Sequence, residues 1–274
     1  RPTWRRGLLQ GALFAAAAAL IAVAGGAALK TRSDGLRERA HQFEDLRIYE
    51  IVAARDANPH AGYPILASKA PRLNAFLTTQ GRVLYTPRRI DPLVQTLGVQ
   101  EHEEHDAPFV QAQWKAIFLA DPLLYLKVRA RLFAWVLFTP DLKACVPLAV
   151  GVDGPPEILA RLGIPVRYTD TDDALLTYAS MYYPTPVFSH AFHAVVALIL
   201  LIGLLIRRRP EDIAVAGLLA GALTFTATFF VITIACDYRY LYFLDLSALA
   251  GSLYLAATFV FPGGWLERRA PARK

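Results

Sequence analysis

The sequence predicts an all-α membrane protein, with four transmembrane helices and a mostly helical extracytoplasmic domain between the first and the second. Two observations indicate this fold class. The 274 residues are 55% hydrophobic with a mean hydropathy of +0.33, and the apolar residues are concentrated in four long stretches that hold almost no charge. A bilayer core about 30 Å thick needs roughly 20 helical residues, so each stretch is long enough to span a membrane.

The first predicted span covers residues 7–29, which contain no charged side chain. Its preceding arginines and its small residues are also typical of a signal peptide, but its apolar part exceeds the usual length of about 7–15 residues. We therefore interpret it as an uncleaved anchor. Because the sequence begins at Arg1 without methionine, we expect a fragment or a processed product, with further transmembrane helices in a missing N-terminal part.

The extracytoplasmic domain is predicted to cover residues 30–186, where charges of both signs and many prolines interrupt the sequence. Its length is sufficient for a small hydrophobic core. The charged, periodic stretch 31–54 predicts a helix that continues the first span. Further helices are expected to begin at Asp91 and to cover 155–162 and 172–183.

One segment of this domain, residues 114–138, is strongly apolar but is interrupted by charges. Pro122 after Asp121 predicts that a new helix begins there, because proline suits the first helical turn. A spanning helix with three central cations would be costly. We therefore expect an amphipathic helix that lies in the membrane interface, and the alternative is a buried core helix of the domain.

The three remaining spans are predicted at residues 187–206, 213–235 and 240–261. The first of these holds two histidines, the second no charge, and the third a single aspartate. Gly217 and Gly221 form a GxxxG pattern, which favours close packing between transmembrane helices.

Arginine-rich segments precede the first span, follow the second and follow the fourth. The positive-inside rule places these segments together in the cytoplasm, so both termini are predicted to be cytoplasmic. This topology also accounts for much of the formal net charge of +6. A nucleic-acid partner is therefore not expected, since its binders carry a basic patch on a folded face.

The predicted topology can be tested with reporter fusions. A reporter fused after Pro210 should lie in the cytoplasm, because an arginine-rich segment directly precedes this site. One fused after Asn74 should lie on the opposite side, because one span separates it from the N-terminal arginine-rich segment. Alkaline phosphatase and fluorescent-protein fusions measure the two locations. Reporters on the same side would contradict the four-span arrangement.

No sequence motif identifies a metal or a cofactor. Residues 101–106 read EHEEHD, but the two histidines lack the HExxH spacing of zinc proteases, so we interpret them as a solvated acidic loop. The chain has no glycine-rich phosphate loop, no GxSxG elbow and no CxxC pair.

The stretch IACDYRYLYFLDLSALAG, residues 234–251, is the main candidate for a functional site. A polar turn at the membrane surface explains Asp237 and Arg239, and an aromatic belt explains the tyrosines. Neither explains Asp245, which lies deeper in the predicted span, where ionisable residues usually face a cavity or a partner. The alternatives of a structural turn and of a site for an anionic lipid-linked group both stay open.

Other residues are grouped with this stretch as candidates. His190 and His193 share a face at the outer end of the second span, either as interfacial anchors or opposite the aspartates. Cations near the interface suit an anionic headgroup. The tentative lipid-phosphate contacts are Asp237, Arg239, Asp245, His190, His193, Arg129 and Arg131. We expect Arg239→Ala to weaken function more than Tyr238→Phe. The first substitution removes a cation that can pair with lipid phosphate, whereas the second keeps the aromatic ring.

The only two cysteines, Cys145 and Cys236, are both predicted to lie on the outer side. A disulfide can persist there. However, Cys145 lies in an apolar stretch, where a free cysteine packs as a small hydrophobic residue. We therefore predict two free thiols.

The sequence resembles the C-terminal part of bacterial polytopic membrane proteins of the GT-C glycosyltransferase type. The similarity rests on the DYRYLY stretch before the last span and on WKAIFLADPLLYLKVRARLF, and it covers roughly residues 47–251. It implies transfer of a sugar from a polyprenyl-phosphate donor on the outer face of the bacterial inner membrane. The family's catalytic acid lies in the first extracytoplasmic loop, which would be upstream and absent here, so no catalytic residue is assigned.

Two other function classes remain open. One is a non-enzymatic membrane protein whose extracytoplasmic domain binds a partner or stabilises a complex. The other is a transporter subunit with Asp245 and the histidines as a proton relay, which is disfavoured because the sequence shows no broken helices or paired repeats.

Overall fold

The computed structural model describes residues 35–99, 107–154 and 156–260, together with scattered positions between Leu9 and Gly25. Most of the first predicted span and the EHEEHD segment lie outside the described residues. Within the described part of the chain all regular secondary structure is helical, and the only β-bridges are two isolated residue pairs. The all-α class is thereby confirmed.

Three helices among the described residues are long and apolar enough to cross a membrane. They match the last three predicted spans closely, whereas the existence of a fourth span stays a prediction. Their bounds are His190–Arg207, Ile213–Ile232 and Tyr242–Val260, numbered below as α10, α11 and α12. They pack on one another as a three-helix bundle.

A glycine determines how closely these three helices approach. A Cβ atom added at Gly251 of α12 would lie 3.2 Å from a methyl carbon of Leu200 on α10 and 3.2 Å from one of Leu219 on α11. By contrast, a Cβ added at Gly217 or Gly221 would meet nothing within 4 Å. The predicted GxxxG packing therefore finds no partner among the described residues, and Gly251 fills that role inside the bundle.

The preceding part of the chain forms a helical domain. The long helix at 35–57 and the helices near 91, 156 and 170 lie close to their predicted positions. The domain helices are α1 (Gly35–Ala57), α2 (Pro64–Lys69), α3 (Pro71–Phe76), α4 (Arg82–Leu84), α5 (Asp91–Val99), α6 (Ala107–Ala120), α7 (Pro122–Phe138), α8 (Pro156–Leu162) and α9 (Asp170–Ser180).

Helix α7 connects the domain to the bundle. It begins where the sequence predicts, because Pro122 occupies its first turn and the Asp121 side chain accepts a hydrogen bond of 3.0 Å from the Leu124 amide. Its first half packs in the domain core with α1, and Val136 in its second half packs in the bundle core. This burial supports the alternative interpretation, in which the segment is a buried core helix of the domain. Leu123 in the first turn of α7 is strongly exposed, and its contact with lipid stays a prediction.

The domain packs at one end of the bundle, called here the domain end, where α10 begins, α11 ends and α12 begins. Specific contacts hold it there besides apolar packing. The Cys236 amide donates to the Arg88 carbonyl at 2.6 Å, and the Tyr242 hydroxyl donates to the Pro147 carbonyl at 2.5 Å. Arg129 and a disulfide contribute further contacts, described below.

The opposite end of the bundle is closed by an ion pair. Arg207, the last residue of α10, donates to both carboxylate oxygens of Asp212, at 2.7 and 2.5 Å. Tyr254 of α12 donates to the same carboxylate at 2.7 Å, and Arg207 also donates to Thr258 at 3.0 Å. This network links all three helices on the side that the arginine pattern predicts to be cytoplasmic.

Candidate functional site at the domain end of the bundle

Asp245 is the centre of a buried polar cluster at the domain end. It lies in the first turn of α12, one turn after the 3-10 segment Tyr238–Leu241. One carboxylate oxygen is 2.9 Å from Nδ1 of His190, and the other accepts a hydrogen bond of 2.8 Å from the Tyr238 hydroxyl. The His190 and Tyr238 rings also stack, with centroids 4.1 Å apart. The deep aspartate thus has two specific partners.

His190 is placed by the start of α10. Ser189 caps this helix, because its side chain accepts from the Phe192 amide, and His190 is therefore the first helical residue. Its side chain is completely buried, and its Nε2 atom has no hydrogen-bond partner among the residues that the structure describes. The sequence-based pairing of a histidine with Asp245 is realised by this residue.

His193 forms a hydrogen bond with the backbone and not with an aspartate. Its Nε2 atom is 2.9 Å from the Val187 carbonyl, which precedes α10. This bond closes the turn that leads into the helix. His193 therefore has a local partner, and its placement supports the interpretation of an anchor for the helix start.

Asp237 and Arg239 form an ion pair with each other. The Arg239 side chain donates to both carboxylate oxygens, with Nε at 2.9 and 3.1 Å, and Asp237 also caps the 3-10 turn by accepting from the Arg239 amide. The hydrogen bonds from Arg239 lower the pKa of Asp237 below its usual range. Arg239 is mostly exposed, so the pair supports a turn at the surface.

Arg129 and Arg131 of α7 are also paired with carboxylates. Arg129 is completely buried, and its Nη1 donates to Glu50 of α1 at 2.9 Å. Trp114 donates to the other Glu50 oxygen, while Nε of Arg129 donates to the Phe230 carbonyl at 2.7 Å. Arg131 pairs with Asp56 at 2.5 Å nearer the surface.

This buried cluster has a structural explanation. Phe230 belongs to the last turn of α11, whose final carbonyls have no partner within the helix. Arg129 therefore caps a bundle helix while its charge is balanced by a domain helix. Burial raises the pKa of Glu50, although Arg129 and Trp114 act in the opposite direction.

The seven sequence-derived candidates thus separate into distinct contacts. His190 and Asp245 come together, Asp237 and Arg239 come together, and His193, Arg129 and Arg131 each have other partners. Arg129, Arg131, Arg239 and His190 each contact a carboxylate of this chain. None of the candidate arginines offers an unpaired charge to a phosphate.

An open cleft of about 410 Å³ lies beside this cluster, and the sequence analysis did not identify it. Its walls come from two segments, the turn after α7 and the approach to α10. The side chains of Thr139, Asp141 and Lys143 line one wall, and Tyr183 and Ser189 line the other. The turn residues Thr-Pro-Asp directly after an apolar helix are the sequence signal that could have indicated it.

The cleft is lined by one carboxylate, Asp141, and one ammonium group, Lys143. Asp141 is engaged by Arg88 at 3.6 Å and accepts hydrogen bonds from the Lys143 and Ala144 amides. Lys143 makes no ion pair among the residues that the structure describes, so its ammonium group is uncompensated by a side-chain carboxylate. Thr139 donates to the Phe188 carbonyl at 2.7 Å and thereby joins the two walls.

The prediction of two free thiols is wrong. Cys145 and Cys236 form a disulfide, with Cα atoms 5.0 Å apart and a sequence separation of 91. Both residues are buried in the bundle core. The apolar surroundings of Cys145, which favoured a free thiol, are instead the packing around a bridge that ties the cleft turn to the end of α11.

The functional order expected for Tyr238 and Arg239 stays a prediction, and the structure adds an expected order for stability. Tyr238→Phe removes the donor to buried Asp245, so we expect it to reduce the free energy of unfolding by about 1–2 kcal/mol. Arg239→Ala removes an exposed pair with Asp237 and should change stability much less. Thermal unfolding in detergent measures both. A larger loss of stability for Arg239→Ala would show that the stability of the protein depends on the surface turn more than on the buried cluster.

The comparisons with known proteins leave the chain without an identified relative. No family model matches it, no curated protein matches it, and no solved structure matches it. Its function is therefore argued below from the geometry of the domain end.

Proposed function

We propose that this protein binds a phosphate-bearing, lipid-linked sugar in the cleft at the domain end of the bundle. In this proposal the chain is the C-terminal portion of a glycosyltransferase-like protein of the bacterial inner membrane, and the domain end is its outer face. The observation that supports it best is the position of Lys143, an unpaired cation in a cleft beside the start of a membrane-spanning helix.

The lining of the cleft suits a phosphate headgroup. An ammonium group close to a membrane surface attracts an anionic lipid. The hydroxyl groups of Ser189 and Tyr183 add neutral hydrogen-bond donors on the opposite wall. The lipid tail would extend along α10, whose outward side chains are exposed and apolar, as Val195, Leu198 and Ile199 show.

The proposal changes which cation contacts the phosphate. Arg129, Arg131 and Arg239 are engaged by carboxylates, so displacing any of them would leave a carboxylate without its partner. Lys143 has no such cost. Lys143 is therefore the cation assigned to the phosphate, and the three arginines keep their ion pairs within the protein.

Catalysis is not assigned to a residue of this chain. In the resemblance stated above, the catalytic carboxylate belongs to an extracytoplasmic loop upstream of the sequence. The domain end then supplies the binding surface for the lipid-linked donor, while the reacting carboxylate comes from elsewhere in the longer protein.

Binding of polyprenyl phosphate to Lys143→Ala tests the proposal. We expect the dissociation constant in lipid nanodiscs to increase about tenfold, because the variant loses a charge-assisted contact of about 1.4 kcal/mol. Binding of the uncharged polyprenol should not change. Tryptophan fluorescence or thermophoresis measures both.

Lys115→Ala is the matched control, since Lys115 is an exposed cation on α6 that does not line the cleft. It should bind polyprenyl phosphate like the unchanged protein. Equal affinities for the Lys143 and Lys115 variants, or equal binding of the phosphate and the alcohol, would contradict the proposal.

A non-enzymatic role in partner binding is the second candidate, and one observation favours it. The stretch from α8 to the start of α10 exposes many large apolar side chains: Ile158, Leu162, Ile164, Val166, Tyr168, Leu175, Tyr178, Met181 and Val187. Surfaces of this kind often mark protein contacts. If this role is correct, Leu162→Glu should change the assembly state on native gels while lipid binding stays the same.

A further inference from the structure

The corner between α6 and α7 leaves three leucines exposed. The exposed fraction is 78% for Leu119, 75% for Leu123 and 48% for Leu126. The opposite side of α7 is buried in the domain core through Leu124 and Val128. A single exposed leucine is ordinary on a protein surface, but several close together in sequence, beside helices that can cross a membrane, indicate a contact surface.

Helix α7 runs across the domain end of the bundle. Arg129 donates to the Phe230 carbonyl in the last turn of α11, and the Phe133 ring lies edge-on against the Phe230 ring, with centroids 5.9 Å apart. Thr139, directly after α7, donates to the Phe188 carbonyl, just before α10 begins. The path from Phe133 to Thr139 therefore leads from the end of one bundle helix to the start of another. A helix on this path lies at the level of the membrane surface when the bundle spans the bilayer.

The exposed leucines continue the side of α7 that faces the bundle. Leu126 precedes Phe133 by two helical turns, and residues at this spacing share a helix face. Because a helix rises 1.5 Å per residue, Leu126 lies about 10 Å further out along α7 than Phe133. Leu123 is the neighbour of Leu126 on the helix surface, one turn earlier. At this distance the bundle no longer covers the face, and the medium beside a spanning bundle is lipid.

The polar residues around this face suit a membrane surface. Lys127 is exposed and follows Leu123 by one turn. Its ammonium group can reach lipid phosphates while its alkyl chain lies beside the leucines. Asp121, the acid at the corner, is engaged as the cap of α7. Apolar residues on one side with a cation beside them are typical of helices that lie in the membrane interface.

We infer that Leu119, Leu123 and Leu126 insert into the bilayer beside the bundle and hold the helical domain against the membrane surface. They contact the acyl chains just below the headgroups, and Lys127 contacts the lipid phosphates. The expected depth is that of an interfacial helix, about 5–10 Å. The inference is independent of the proposed function, because neither the cleft nor Lys143 contributes to it. One side of α7 is thus domain core, and the other is a lipid contact.

Photo-crosslinking in nanodiscs tests the inference on the unchanged protein. Lipids with a diazirine in the upper part of the acyl chain should label the tryptic peptide 116–127, which contains all three leucines. The tryptic peptide 48–55 is the matched control, because it is also largely apolar but is buried in the domain core, and it should stay unlabelled. Labelling of 116–127 no stronger than that of 48–55 would overturn the inference.

Spin labels measure the depth of the corner. The disulfide engages both native cysteines, so a nitroxide can be attached to Leu123→Cys or Leu126→Cys without a competing thiol. Both labels should collide more often with oxygen than with a water-soluble nickel complex, as a depth of about 5–10 Å requires. Asp170→Cys, in the acidic first turn of α9, is the control and should show the opposite preference. A preference for nickel at both leucine positions would contradict the insertion.

A second copy of the chain is the other occupant that the test distinguishes. Spin–spin broadening at position 123 that disappears on dilution with unlabelled protein would identify a contact between copies and would overturn the inference. The double variant Leu123→Glu with Leu126→Glu should lose the labelling of peptide 116–127, because ionised carboxylates stay in water. Both side chains are exposed, so this variant should fold like the unchanged protein. Undiminished labelling in the folded double variant would also contradict the inference.

Discussion

Arg129→Met is expected to reduce the free energy of unfolding by about 3–5 kcal/mol, because it leaves the Glu50 carboxylate buried without its cation. The substitution also removes the donor to the Phe230 carbonyl at the end of α11, so the contact between domain and bundle weakens. Denaturant unfolding in a mild detergent, followed by tryptophan fluorescence, measures the loss.

Two further variants make this prediction specific. Arg131→Met removes a neighbouring but partly exposed pair with Asp56, so it should cost at most about 1 kcal/mol. Adding Glu50→Gln to Arg129→Met should recover part of the lost stability, because the unpaired buried charge is then removed. Equal losses for Arg129→Met and Arg131→Met would contradict the structural role given to the buried cluster.

Replacing both Cys145 and Cys236 by serine is expected to reduce the free energy of unfolding by about 4–5 kcal/mol. The bridge closes a loop of 91 residues, and in the chain-entropy model a loop of this size gives a stabilisation near that value. The two serines also place hydroxyl groups in an apolar core, which adds to the loss. Unfolding under non-reducing conditions measures the difference.

The matched comparison is the unchanged protein after reduction, whose stability should fall toward that of the double serine variant. Mass spectrometry of non-reduced peptides should show Cys145 linked to Cys236. Two free thiols in protein isolated without reductant, or an unchanged stability after confirmed reduction, would contradict the prediction.

The helices were largely predictable because their signals are local. The apolar stretches at 187–206 and 213–235 have the length of a bilayer span, and the structure has helices at both places. The start of α7 was also predictable, since proline in a first turn after an aspartate cap acts within four residues. Neither feature depends on what the helix packs against.

The partners of the charged residues could not be predicted in the same way. Sequence reasoning grouped Arg129 with Arg239 because both lie near a predicted membrane surface. Glu50 is 79 residues from Arg129, and no local pattern indicates that they meet. His190 and Asp245 were proposed to face each other only as an alternative, because their 55-residue separation is bridged by helix packing alone.

The sequence by itself therefore determined an all-helical fold, three helices long and apolar enough to cross a membrane, and the polar positions that needed an explanation, because hydropathy and helix starts depend on neighbouring residues. Only the tertiary structure decided that Cys145 reaches Cys236, that Gly251 is a close contact of the bundle, and that Lys143 lines a cleft between the turn after α7 and the approach to α10. Each of these depends on distances between segments far apart in sequence.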